Sequence, residues 1–192
     1  MKDDTERENR IDRAKKDLGL LWNELRGEIW HVTTVVGLEN ILSSGEIKPG
    51  CQEDNKFNGY CTSINAISLF DFDTPSEEDA LDHFELKWDH FLSSSLGRSS
   101  IWIKINLEKL PHYYLIPPTQ ISSEAIKAVK NAIPRVEAAY KGIIPLSALK
   151  CLVMVCVANL KEFKILAMDK NILNKIDEVQ REWDQSYQEK YK

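Results

Sequence analysis

Residues 28–50, EIWHVTTVVGLENILSSGEIKPG, constrain the fold of this chain more than any other stretch. The segment EIWHVTT (28–34) is rich in Ile, Trp, Val and Thr, which favour strands, so it predicts a short strand carrying His31. VGLENILSS (36–44) follows directly and predicts a brief helix that ends at Gly45, because glycine readily adopts the left-handed conformation of a helix C-terminus. Short strands with helices scattered among them indicate an α+β fold.

The composition of the chain places it among ordinary globular proteins. It has 192 residues, of which 43% are apolar and 29% are charged, and this length fits one domain, 1–192. A net charge of -5 argues against a protein that grips nucleic acid mainly through a basic surface. The first residues, MKDDTERENRIDRAKKDLG, are too charged for a signal peptide, and no apolar run approaches the roughly 20 residues of a membrane span. We therefore expect a cytoplasmic protein that does not enter membranes.

Helices and loops are expected on both sides of this central stretch. Apolar residues recur at three- and four-residue steps through Thr5–Arg26, which predicts one amphipathic helix, and 169–192 predicts a polar terminal helix. Thr74 is expected to cap a further helix, with Glu77 completing a capping box. Residues 46–60 contain Pro, Asn and Gly without periodicity, which is typical of an exposed loop beside a site.

His31 is the first candidate for a chemical role. Alternation along a strand places it on the face of Ile29 and Thr33, so that one face holds a histidine and a threonine together. The alternative is a core histidine bonded to a backbone carbonyl, which is the commoner fate of a single histidine in an apolar strand.

Glu137 raises the same question, because it lies in PRVEAAYKG, a predicted strand of otherwise mostly apolar residues. Strands rarely bury a carboxylate without a partner. Alternation puts Glu137 on the face of Arg135, so the alternative is an exposed ion pair on an edge strand, which would contribute little stability.

Other chemical signals are weaker. His83 and His90 lie near one helix face, but without a close third ligand they favour ordinary side chains over a metal site. Arg98, in the Gly- and Ser-containing segment SLGRSS, is a candidate phosphate contact or a solvated turn residue. The sequence lacks a glycine-rich dinucleotide motif, a P-loop and a nucleophile elbow, and its four cysteines have no zinc-ligand spacing and are expected to be reduced thiols.

The order of these segments resembles the ADP-ribosyltransferase fold, in particular its His-Tyr-Glu branch and the DarT-like toxins. The resemblance rests on an H-x-T strand, the LENILSSGEI helix pattern, a Ser/Thr-bearing strand, and VEAAYKGIIPLSAL with its Glu and IP turn. It covers roughly 28–157, and the segment TSINAISLFDF departs from the DarT-like pattern. The resemblance implies an α+β fold built on a split mixed β-sheet with flanking helices, with helical extensions at 1–27 and 169–192.

The resemblance also implies roles for individual residues. His31 matches the strand histidine that hydrogen-bonds the nicotinamide ribose, with Thr33 beside it, and Glu137 matches the glutamate that supports the ribosyl cation and activates the acceptor. Tyr60 is the first choice for the aromatic residue that stacks on nicotinamide, and Phe70 is a rival. Phe72 is a second rival, and Arg98 completes the expected NAD contacts.

The expected activity is cleavage of NAD to nicotinamide, with transfer of ADP-ribose to a macromolecule, either protein or nucleic acid. The family further implies a toxin or defence role and a cognate antitoxin as partner. Three alternatives stay open: an NAD glycohydrolase; an RNA 2'-phosphotransferase, whose Arg-His-Arg-Arg set has no counterpart here; and a non-catalytic binding or inhibitory module in which His31 and Glu137 are structural.

Overall fold

The computed structural model describes residues 2–49, 59–84, 89–92, 99–128, 132–156 and 159–190. Its helices are α1 Lys2–Leu18, α2 Leu20–Leu25, α3 Val35–Ser44, α4 Tyr60–Ser63, α5 Glu77–Asp82, α6 Pro118–Ala128 and α7 Ile172–Lys190. Its strands are β1 Ile29–Thr33, β2 Glu46–Ile47, β3 Ile67–Asp71, β4 Ser99–Ile105, β5 Leu115–Ile116, β6 Glu137–Tyr140, β7 Ile144–Pro145, β8 Leu149–Cys156 and β9 Phe163–Ala167. Single 3-10 turns lie at Asp89–Leu92, Leu107–Lys109, His112–Tyr114 and Leu146–Ala148.

Seven strands form one sheet in the order β5-β6-β3-β1-β4-β8-β9, and β2 pairs with β7 in a small second sheet. This arrangement confirms the predicted α+β class. Within the described residues, every ladder is antiparallel, whereas a mixed sheet was expected. Strand direction depends on how the chain returns across the sheet, and the residue pattern of a short strand does not record it.

The large sheet splits at its centre, between β1 and β3. These two strands pair only near Trp30 and Phe70. Beyond that point β1 stays paired with β4 as far as Thr33, while β3 stays paired with β6 from Ile67. Each strand therefore keeps its outer neighbour and leaves its inner one, which opens a gap between the end of β1 and the start of β3.

The two faces of the sheet carry separate cores. The face of the sheet that carries Ile29 packs against α3 and α7. The face that carries Trp30 packs against α1, α2 and α5. A third cluster lies between α4, α6 and β6. The terminal helices, expected as extensions, supply core side chains, since Leu18, Leu21 and Ile176 are wholly buried.

Two local features differ from the sequence-based expectations. The N-terminal helix is not continuous, because Gly19 takes a φ of 51° between α1 and α2. Helix α5 is capped by Ser76, whose side chain accepts a hydrogen bond from the Asp79 N–H. Thr74 does not cap this helix because its hydroxyl instead donates to Asp71, at 2.6 Å.

Among the helices that the structure describes, none combines the length and the apolar character needed to cross a membrane.

Candidate functional site

The gap between β1 and β3 forms the floor of a cleft. The cleft has a volume of about 450 Å³, which lies within the range of roughly 300–1,000 Å³ typical of small-molecule sites. Its walls come from β1, α3, β2, α4 and β3. His31 and Thr33 line it from β1, and Cys61 and Ser68 line it from the other side of the split.

His31 is held against the opposite strand by one hydrogen bond. Its Nδ1 lies 3.1 Å from the backbone carbonyl oxygen of Ser68. A carbonyl oxygen only accepts, so Nδ1 carries the proton and donates it. Burial lowers the pKa of His31 from its ordinary value of 6.5, and the hydrogen bond to Ser68 opposes this only in part. The neutral ring at pH 7 therefore offers Nε2 as an acceptor.

Thr33 shares the cleft wall with Gly37 of α3. The two residues approach so closely that a Cβ placed on Gly37 would lie 2.0 Å from the Thr33 Oγ1. Helix α3 begins immediately after β1 because Thr34 caps it, its side chain accepting the Gly37 N–H at 3.1 Å. The predicted strand and helix are both confirmed, and the helix ends at Gly45 with a φ of 81°.

Glu137 begins β6, an inner strand between β5 and β3, and is only 7% exposed. Its Oε1 accepts from the Ser68 hydroxyl at 2.8 Å and from the Cys61 thiol at 3.1 Å. Its Oε2 accepts from the Ile133 N–H at 2.8 Å. The alternative of an exposed ion pair with Arg135 is wrong, because the carboxylate is buried and bonded to other groups.

Ser68 joins the two candidate residues. Its backbone carbonyl accepts from His31, and its hydroxyl donates to Glu137. Sequence reasoning missed Ser68, although a hydroxyl within the apolar strand ISLFD was a signal for it. Alternation alone would put His31 and Glu137 on opposite faces of a continuous sheet. At the split both residues contact Ser68, but of the two only His31 lines the cleft, while Glu137 lies behind Ser68.

Cys61 was also missed as a site residue. Burial, followed by the neighbouring Glu137, raises the pKa of its thiol well above the ordinary value. The thiol therefore stays protonated, so that it donates to the carboxylate and is a poor nucleophile.

The expected stacking aromatics do not line the cleft. Tyr60 packs its ring in the cluster between α4 and α6, and its hydroxyl donates to Glu124, a hydrogen bond that raises the pKa of Tyr60 to about 12. Phe70 is 1% exposed and packs against Trp102, with ring centroids 5.1 Å apart. Phe72 is buried in the same cluster. The expectation that Tyr60 or Phe70 faces the ligand is therefore corrected: both rings are used for packing.

The remaining candidates from the sequence are Arg98, His83 and His90. Arg98 lies outside the described residues. His83 is partly buried, and burial lowers its pKa, while the side chain of His90 is not described. Over the part of the chain that the structure describes, no group of three or more His, Cys, Asp or Glu side chains could hold a metal ion.

Comparison with protein-family models, with curated proteins and with solved structures finds no match for this chain. Function must therefore be inferred from the cleft itself. Ser68 contacts the neutral imidazole of His31, which can accept a hydrogen bond from a ligand hydroxyl, and the buried carboxylate of Glu137. These two groups suit a ligand that has hydroxyl groups and develops positive charge.

Proposed function

We propose that this protein is an NAD-dependent ADP-ribosyltransferase, which cleaves the bond between nicotinamide and ribose and passes ADP-ribose to a macromolecular acceptor. One observation carries the proposal: His31 and Ser68 line a cleft in a split sheet, and Ser68 links His31 to Glu137, which is far away in the chain and lies behind the cleft wall. The order of the sequence segments supports it independently through the resemblance to that fold.

His31 binds the substrate ribose in this proposal. The Nε2 of the neutral ring accepts a hydrogen bond from a ribose hydroxyl, while the Ser68 carbonyl fixes the ring through Nδ1. Thr33 lies on the same wall of the cleft and supplies a second polar contact. Binding of the nicotinamide ribose at this wall places the bond to be broken near the split.

Glu137 stabilises the reaction's transition state. As nicotinamide leaves, positive charge develops on the ribose ring, and a nearby carboxylate lowers the energy of this oxocarbenium-like state. Three donors orient the Glu137 carboxylate before the substrate arrives, and two of them, Ser68 and Cys61, line the cleft. The same carboxylate activates the acceptor nucleophile in this proposal. Neither step calls for a metal or a glycine-rich phosphate loop.

The acceptor in this proposal is a protein or a nucleic acid. A toxin or defence role, a cognate antitoxin and a cytoplasmic location belong to the same proposal and derive from the family resemblance and the sequence composition.

A second candidate is a non-catalytic binding module. It is favoured by the burial of Glu137, whose three hydrogen bonds would satisfy a purely structural carboxylate equally well. It is also favoured by the packing of Tyr60 and Phe70 away from the cleft.

Nicotinamide release from NAD tests the proposal. The wild type is compared with His31→Ala, with Glu137→Gln, which keeps the side-chain shape, and with Glu108→Gln as a control at an exposed carboxylate. We expect release by the wild type and the control, a loss of about 10²-fold or more in Glu137→Gln, since removing one electrostatic contact to a transition state commonly costs that much, and a smaller loss in His31→Ala, which removes one hydrogen bond to the ribose. Label from NAD recovered as free ADP-ribose rather than on a macromolecule would identify a glycohydrolase.

The opposite result would contradict the transferase. If folded wild type neither binds NAD nor releases nicotinamide, the binding module is the better description. If Glu137→Gln releases nicotinamide at the wild-type rate, the carboxylate has no part in the reaction.

A further inference from the structure

The turn that precedes Glu137 has an unusual backbone. Two hydrogen bonds close it: the Glu137 N–H donates to the Ile133 carbonyl at 3.1 Å, and the Ile133 N–H donates to the Glu137 carboxylate at 2.8 Å. Arg135 lies inside this turn with a φ of 64°. A non-glycine residue enters this left-handed region at a cost, so surrounding contacts must hold it there.

Two contacts from other helices hold Arg135. Its guanidinium pairs with the Asp79 carboxylate of α5, and its N–H donates to the Ser122 hydroxyl of α6 at 3.2 Å. Asp79 is itself fixed, since its N–H donates to the Ser76 cap and its carboxylate also accepts from Arg7 of α1, at 3.2 Å. We call these two contacts of Arg135, to Asp79 and to Ser122, the clamp on the turn.

We propose that Arg135 is a positioning residue for Glu137: the clamp on Arg135 keeps the turn in the conformation that presents the Ile133 N–H to the carboxylate. This inference rests on the proposed function, because it assigns the clamp a role in catalysis. Arg135 does not touch the substrate. It acts through the backbone, by fixing the Oε2 side of a carboxylate whose Oε1 side is fixed by Ser68 and Cys61.

The ion pair matters here through the conformation it selects. The Arg135 side chain is 57% exposed, and an exposed ion pair by itself stabilises little. Its effect on the turn is larger, because without it only the hydrogen bond from the Arg135 N–H to Ser122 still holds this backbone in the left-handed region. Glycine occupies that region readily, so a glycine at this position would need no clamp.

This difference between alanine and glycine gives the test. Arg135→Ala removes the guanidinium but keeps the energetic cost of the left-handed φ. Arg135→Gly removes the guanidinium and that cost together. Arg26→Ala is the matched control, because Arg26 pairs with Glu77 of the same helix α5, at 3.5 Å, but has an ordinary φ of -62°.

Steady-state kinetics of nicotinamide release should separate the variants. We expect Arg135→Ala to lower kcat about tenfold with KM for NAD nearly unchanged, since small misplacements of a reacting group cost that much or more. We expect Arg135→Gly and Arg26→Ala to stay within about threefold of the wild-type kcat. A kcat of Arg135→Gly as low as that of Arg135→Ala would overturn the proposal, as would a wild-type kcat in Arg135→Ala.

Amide hydrogen exchange at Ile133 separates a failure of this inference from a failure of the proposed function. We expect this amide to be protected in the wild type and in Arg135→Gly, and to exchange about tenfold faster in Arg135→Ala. If the wild type releases no nicotinamide, the proposed function fails and the catalytic role of Arg135 falls with it, while the exchange rates still decide whether the clamp holds the turn. Equal protection in all three proteins would overturn the clamp whatever the activity.

Discussion

Ser68→Ala is the most informative single change at the site. It removes the hydroxyl that donates to Glu137 Oε1 at 2.8 Å, and it leaves the backbone carbonyl that accepts from His31. The substitution therefore breaks one half of the connection between the two candidate residues and keeps the other half.

The size of the effect follows from the burial of Glu137. A hydrogen bond to a charged group contributes about 1.5–3 kcal/mol, and a carboxylate that is 7% exposed finds little water to replace the lost donor. The Cys61 thiol stays 3.1 Å from the same oxygen, so we expect the lower part of that range, about 1.5–2 kcal/mol, as the loss in the free energy of unfolding. When Glu137 is alanine, the hydroxyl has lost this acceptor, and removing it should cost less than about 0.5 kcal/mol.

Urea unfolding of four proteins measures this coupling: the wild type, Ser68→Ala, Glu137→Ala and the double variant. The change in midpoint at constant slope gives each free energy. Ser123→Ala is the control, because that hydroxyl donates to a neutral carbonyl at an exposed site, and its effect should stay within about 0.5 kcal/mol. A Ser68→Ala effect of equal size with and without Glu137 would refute the reasoning, since the hydroxyl would then act elsewhere.

Two further predictions concern the β1 wall of the cleft. Because burial lowers the pKa of His31, the unfolded chain takes up the proton first as the pH falls below 6.5, so the free energy of unfolding should fall from there down to the folded-state pKa. Unfolding measured across that range should show a steeper slope in the wild type than in His31→Gln, which keeps the contribution of His83, whose pKa burial also lowers, and an equal slope in both would contradict it. Gly37→Ala should destabilise by about 1–3 kcal/mol, because the new Cβ would lie 2.0 Å from Thr33 Oγ1. In a Thr33→Ala background the same change should stabilise by roughly 0.5–1 kcal/mol, as alanine usually does in a helix, and a change of the same sign in both backgrounds would count against the contact.

Local patterns predicted the elements that carry the site. The strand with His31 and the helix ending at Gly45 appear as expected, because β-branched content and a glycine C-cap act over a few residues. Alternation also sorted Ile29 and Trp30 onto opposite faces, which pack in separate cores. The residues next to Glu137 in the sequence do not indicate whether its side chain is buried or exposed.

Other expectations failed because another group engaged the residue. Thr74 had the right spacing to cap α5, but Asp71 engages its hydroxyl. Tyr60 had the right place to face a ligand, but its hydroxyl reaches Glu124 of α6. Phe70 follows Ser68 by two residues, yet it is enclosed by the core against α1 and α2. The partner of Thr74 lies three residues earlier in the chain, whereas Tyr60 and Phe70 are engaged by helices far away in the sequence.

The sequence by itself determined the α+β class, the strand that bears His31 and the helix behind it, because these depend on propensities and spacings within short segments. Only the tertiary structure decided where the sheet splits, and hence that Ser68 lies between His31 and Glu137. The physical reason is that each strand of the split keeps its outer partner and loses its inner one, so the gap depends on pairings between segments far apart in the chain, which no residue pattern within β1 or β3 records.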